Sequence, residues 1–187
     1  MAKDQRNLLQ RLRVPLGFIV FILFLVFSRP TWLSLLIGLP ISVIGLFIRG
    51  WASGHLQKNA ELTTTGPYAH TRNPLYFGSF LMTAGAAIGG GQFTLAVGLV
   101  FLFLLIYYPV MQAEAKLMQQ LFAAKYEFWS KAVPLFLPRL MAFRLNDQRR
   151  FAIELYLKHR EYRAAIGTLI LYAVLAVKIG IKHGFQI

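Results

Sequence analysis

The sequence predicts an all-α, polytopic membrane protein of about five transmembrane helices in hairpins, with cytoplasmic amphipathic helices between them. Three observations predict it. Of the 187 residues 57% are hydrophobic and only 14% charged, where a soluble domain carries about 25% charged residues. Mean hydropathy is +0.54, and the apolar residues fall in long runs, as lipid-facing segments require. The basic residues cluster between those runs, so the net charge of +13 points to anionic lipid headgroups rather than nucleic acid. Cysteine is absent, which excludes disulfides, thiolate metal sites and a cysteine nucleophile.

The elements follow in order. Val14–Phe27 is a charge-free apolar run behind Lys3, Arg6, Arg11 and Arg13; no small-residue cleavage site follows it, so it reads as a retained anchor. Trp32–Ile48 comes after the Ser28-Arg29-Pro30-Thr31 turn. Leu75–Ile88 runs into Gly89-Gly90-Gly91, Phe93–Val110 follows, and Ala164–Ile181 closes the set with one interior charge at Lys178. A span needs about 20 residues at about 1.5 Å each, so the first and third runs borrow flanking residues. The two short links fold the first four helices into two antiparallel hairpins.

Seventeen of the twenty basic residues then fall on one side, leaving Arg29, Lys178 and Lys182 on the other. By the positive-inside rule the N-terminus and segments 49–74 and 111–163 face the cytoplasm. Three regions result: an N-terminal hairpin (1–48), a core (49–140), and a basic segment with the last span (141–187). Segment 111–133 predicts an amphipathic helix, with Leu117, Met118, Leu121, Phe122, Phe128, Trp129, Ala132 and Val133 at three- and four-residue steps. Val133-Pro134 and Leu137-Pro138 end it. Segment 139–163 is again basic and periodic, and Glu154 and Lys158 are spaced to pair.

Chemistry concentrates in Leu62-Thr63-Thr64-Thr65-Gly66-Pro67-Tyr68-Ala69-His70-Thr71-Arg72-Asn73-Pro74-Leu75-Tyr76-Phe77-Gly78. Gly66-Pro67 and Asn73-Pro74 are turn signals. Asn73 suits a helix N-cap and Pro74 the first helical turn, and the free amides there can receive a carboxylate. A capped loop with Arg72 on lipid phosphate is the plain alternative. Glu114 stands just past Pro109, where a membrane-proximal acid needs a partner such as Arg72 or Lys116, or a ligand.

Gly66-Pro67-Tyr68 and Arg72-Asn73-Pro74-Leu75-Tyr76-Phe77-Gly78, with Glu114, Met118, Phe122, Tyr126, Trp129, Val133-Pro134 and Pro138 at matching spacing, resemble the isoprenylcysteine carboxyl methyltransferase family and its phospholipid methyltransferase relatives. The resemblance runs over residues 45–140. It implies a membrane enzyme holding S-adenosylmethionine in a cytoplasm-facing pocket, with a lipophilic small molecule or lipid entering from the bilayer as acceptor. Carried over by position, the cofactor residues are Glu61, Leu62, Thr63, Tyr68, Asn73, Pro74, Leu75, Tyr76 and Glu114, with His55 added if a two-residue gap is allowed. Arg72 would orient an anionic acceptor or the cofactor carboxylate. In-line transfer of a reactive methyl group needs alignment and exclusion of water, and no metal or covalent residue.

Three positions depart from the family pattern: Asn73 replaces the commoner His, Ala115 a second Glu, and Val110 an Arg associated with the prenylcysteine substrate. The resemblance therefore carries the cofactor further than the acceptor. Two rival readings stand beside it. One is a scaffold or lipid-binding protein of the same fold without turnover. The other is a nicotinamide-dependent membrane reductase, whose family shares an Arg-x-Pro-x-Tyr segment in larger chains.

Overall fold

The computed structural model describes residues 17, 19–57, 61–143 and 149–184, with side chains as far as residue 182. Among these residues every regular element is helical. Residues 19–27 form α1; then come α2 (Trp32–Ser53), a 3-10 turn (Gly66–Ala69), α3 (Pro74–Gly89), α4 (Phe93–Ala132), α5 (Ile153–Lys158) and α6 (Tyr162–Gly184). Helices α2, α4 and α6 are long and apolar enough to cross a bilayer, and α3 is a shorter apolar helix of 16 residues. The protein is a polytopic, all-helical integral membrane protein. The start of the first expected span lies outside the described residues, as do Lys3, Arg6, Arg11, Arg13, Lys58 and Arg144.

Local chemistry sets the boundaries. Thr31 and Ser34 cap α2 reciprocally: the Ser34 amide donates to Thr31 Oγ1 at 3.1 Å and the Thr31 amide to Ser34 Oγ at 2.9 Å. The α1–α2 and α3–α4 turns meet, with the Arg29 amide donating to the Gly90 carbonyl at 2.7 Å. Gly91 makes that meeting possible. It has φ of +71°, and a Cβ there would lie 2.1 Å from the Arg29 carbonyl oxygen. Helix α3 packs most intimately on α2 rather than on its hairpin mate α4.

Two expectations change. The amphipathic helix expected to start at 111 is continuous with the fourth span, because Pro109 removes one backbone donor without breaking a helix whose remaining bonds hold. The break falls at Ala123, whose φ of 38° and ψ of −115° are non-helical. Among the described residues, the periodic segment 139–163 forms the six-residue α5 and the first residues of α6, and Glu154 and Lys158 form no ion pair there. Two exposed long side chains gain too little in water to hold one geometry.

The interior has two centres. Ala52, Leu62, Tyr68, Tyr126, Trp129 and Val133 pack together beside the loop after α2. Phe24, Leu35, Tyr172, Leu175 and Ile179 join α1, α2 and α6 at the other end. There Lys178 Nζ donates to the Val26 carbonyl at 3.2 Å and to the Ser28 carbonyl at 2.7 Å, closing the C-terminal end of α1.

Candidate functional site

The loop before α3 is built as a rigid wall. Gly66 opens its 3-10 turn with φ of +58°, and a Cβ there would meet the His55 ring at 2.8 Å. Only glycine satisfies both the left-handed backbone and the close approach. The loop is then stitched to the segment after α4. The Arg72 amide donates to the Pro134 carbonyl at 2.9 Å, Thr71 Oγ1 to Phe136 at 2.8 Å, Asn73 Nδ2 to Leu135 at 2.9 Å, and the Phe143 amide to Ala69 at 2.9 Å. Asn73 is the N-cap of α3 by position, but its side chain makes no capping bond. Its amide serves the Leu135 carbonyl instead, which fixes one stretch to the other.

A cavity of about 760 Å³ lies between these stretches. Glu61, Leu62, Thr63, Tyr68, Arg72, Asn73, Pro74, Leu75, Tyr76 and Glu114 all line it. Tyr76 Oη donates to Glu114 Oε1 at 2.8 Å across 38 positions of sequence. Neither Arg72 nor Lys116 pairs with Glu114. The Arg72 guanidinium donates instead to Tyr126 Oη at 3.0 Å and lies 5.9 Å from the Tyr126 ring centroid. His55 stands apart from the lining: its Nδ1 is 3.0 Å from the Trp51 carbonyl oxygen, and its ring packs on Phe151.

Helix α4 presents Tyr107, Glu114 and Met118 to the cavity from one face, since positions seven and eleven apart fall two and three turns along. Burial, reinforced by the Glu114 and Glu161 carboxylates, pushes the Tyr68 hydroxyl far above the usual phenol range, so it stays protonated. Two donors in the lining have no acceptor: Arg72 Nε and Trp129 Nε1, the latter on a residue 2% exposed. A buried donor without a partner costs about 1–3 kcal/mol, so a ligand oxygen meeting either would recover that loss.

Sequence reasoning left Arg49, Ser79, His159 and Glu161 without a role in the cavity, yet each lines it. Arg49 reads as one topology charge among many, and Glu161 lies in the basic segment beyond the resemblance. One signal was available. The chain has only seven acidic residues, and Glu61, Glu114 and Glu161 all line this cavity.

The donor set fits S-adenosylmethionine. Tyr68, Tyr76 and Trp129 offer aromatic surface for a purine, the carboxylates suit ribose hydroxyls or an ammonium, and Arg72 Nε and Trp129 Nε1 suit a carboxylate.

The family model for phospholipid methyltransferase (PEMT) matches residues 31–125, about half of the chain. The nickel-cobalt-cadmium resistance protein NccN of Alcaligenes xylosoxydans xylosoxydans is 32% identical over 122 residues, covering 61% of this chain and 55% of that protein. The cobalt-zinc-cadmium resistance protein CzcN of Cupriavidus metallidurans is 29% identical over 142 residues, 71% of this chain and 64% of that protein. The matches thus span somewhat over half the length of these curated relatives. No solved structure matches. With a family match across half its length and the motif stretches of that family facing one cavity, the chain belongs to the isoprenylcysteine and phospholipid methyltransferase family.

Proposed function

We propose that the protein is an S-adenosylmethionine-dependent methyltransferase that modifies a lipophilic small molecule or lipid at the cytoplasmic face of the membrane. The observation that carries this reading is the Tyr76–Glu114 contact at 2.8 Å, which joins the loop motif to the later helix across the cavity. When bound, S-adenosylmethionine supplies an activated methyl group on its sulfonium. The chain's own part is to hold and to exclude. Tyr68, Leu62 and Thr63 provide a dry wall, Tyr76 and Glu114 a polar one, and Arg72 with Trp129 two donors for an anionic group. Alignment of this kind accounts for a large share of rate in displacements where the reactive group arrives already activated.

Methylated products measured by mass spectrometry in membranes with and without the protein test the reading. A species gained by one or more methyl groups only when the protein is present supports it; identical lipid and small-molecule profiles count against it. Binding of S-adenosylmethionine against NADPH on the detergent-purified chain separates the rival readings. NADPH binding alone favours a reductase and binding of neither a scaffold, the latter motivated by Val110 where the prenylcysteine enzymes place an Arg. Orientation is tested by single cysteines in this cysteine-free chain. Arg29→Cys labels from outside intact cells with an impermeant maleimide, and Lys116→Cys does not. The relatives' names make tolerance to nickel, cobalt, zinc and cadmium ions a second phenotype to score in cells with and without the protein.

A further inference from the structure

The stretch beyond the family match closes one side of the cavity, and it does so with charge. Arg149 donates to Glu61 Oε2 at 2.8 Å and to the Leu62 carbonyl at 3.0 Å, and the Ala152 amide donates to the Gly54 carbonyl at 2.9 Å. This strap runs through α5 to a turn in which Arg160 takes φ of 56°. Glu161 follows and receives Arg49 in a two-pronged ion pair, Nε to Oε2 at 3.0 Å and Nη2 to Oε1 at 2.8 Å. The third arm of Arg49 donates to the Leu75 carbonyl at 3.3 Å and to Ser79 Oγ. The side chains are 22% and 11% exposed, so the pair is screened much less than one on an open surface.

The charged lining of the cavity is therefore three carboxylates, Glu61, Glu114 and Glu161, against the guanidinium groups of Arg49 and Arg72, with Arg149 pairing Glu61 from the strap. S-adenosylmethionine carries a carboxylate, an ammonium and a sulfonium, one positive charge net. The demethylated product, S-adenosylhomocysteine, has nearly the same shape and lacks the sulfonium charge. We propose that Glu161 is a positioning and charge-setting residue: by neutralising Arg49 it lets the cavity favour the sulfonium cofactor over its thioether product. The inference rests on the cofactor reading above and extends it to the C-terminal strap. Tyr68 lines the same cavity, and its hydroxyl, pushed up chiefly by burial, is raised further by Glu114 and Glu161 and lowered by Arg49. Without Glu161 an uncompensated guanidinium would face that space.

The test is equilibrium binding of both compounds to the full chain in lipid nanodiscs. Glu161→Gln keeps shape and removes charge. It should weaken S-adenosylmethionine about three- to tenfold and change S-adenosylhomocysteine less than about twofold. Adding Arg49→Gln to that variant, or using Glu161→Asp instead, should restore the ratio of the two affinities. An unchanged ratio in Glu161→Gln overturns the proposal, whether both affinities hold or fall together, and so does a changed ratio that the second substitution fails to restore. Wild-type protein that binds neither compound overturns the cofactor reading itself, a result distinct from those two.

Discussion

Replacing Tyr76 by Phe and Glu114 by Gln, singly and together, asks whether the two motif stretches act as one unit. The structure supplies the magnitude. A hydroxyl donating to a carboxylate at 2.8 Å is a charge-assisted bond, worth about 1.5–3 kcal/mol where water is excluded. Glu114 is exposed in the free protein, which lowers the contribution there toward about 0.5–1 kcal/mol. A ligand filling the cavity displaces water, and the bond then strengthens as the local dielectric falls. Each single substitution should therefore weaken S-adenosylmethionine binding by about 1–2 kcal/mol, roughly five- to thirtyfold. The double variant should lose about 1 kcal/mol less than the sum, because the second change removes a partner already lost. Isothermal titration or radiolabelled cofactor binding on purified protein reads all four corners of the cycle. Fully additive losses would refute the coupling, and unchanged affinity in both single variants would refute the site.

Three further outcomes follow from named contacts. Arg72→Ala should reduce turnover at least as much as cofactor affinity, because its Nε is unspent and available to a bound anion; full activity would remove it from the mechanism. Lys178→Met should cost about 1–2 kcal/mol in detergent unfolding, since it strips the Val26 and Ser28 carbonyls of their shared donor; an unchanged melting temperature would show that water caps α1 equally well. Tyr68 gives a pH dependence with a definite sign. Its hydroxyl is held protonated in the fold, while the unfolded chain releases that proton near about pH 10. The contribution is complete below that pH and is lost above it at about 1.4 kcal/mol per pH unit. Unfolding between about pH 9 and 11 should be steeper in wild type than in Tyr68→Phe, and parallel curves would contradict the assignment.

The membrane fold was legible because its signals are local. Long apolar runs and the Arg29-Pro30 and Gly89–Gly91 links each depend on a few adjacent residues. That the loop and Glu114 belong together was legible because the motif carried two separated stretches in one register, and both line one cavity. What escaped depends on three-dimensional context. The apolar run ends at Val110 and a separate helix is expected from 111, yet the actual break is at Ala123, an alanine with no local reason to leave helical geometry. Asn73 looks like a capping residue, but the Leu135 carbonyl competes for its amide and wins. Glu161 and Arg49 are 112 positions apart, and nothing in either neighbourhood announces the other.

Gly78 shows how the bilayer packing and the site are one construction. At the end of the Arg-x-Pro-x-Tyr-x-Gly stretch, it lies within α3. A Cβ at Gly78 would meet Arg49 Cγ at 2.6 Å and the Gly45 carbonyl oxygen at 2.7 Å, so its absence lets α2 lie directly against α3. That contact sets the distance over which the Arg49 side chain must reach. Its stem crosses the glycine, and its head bridges the Leu75 carbonyl, one turn earlier on α3, and Ser79, the residue after the glycine. A larger residue at 78 would push the helices apart and withdraw the guanidinium from both the α3 wall and Glu161. The small residue in the apolar layer thus controls an electrostatic contact in the cavity, and the helix interface cannot be loosened without altering the site.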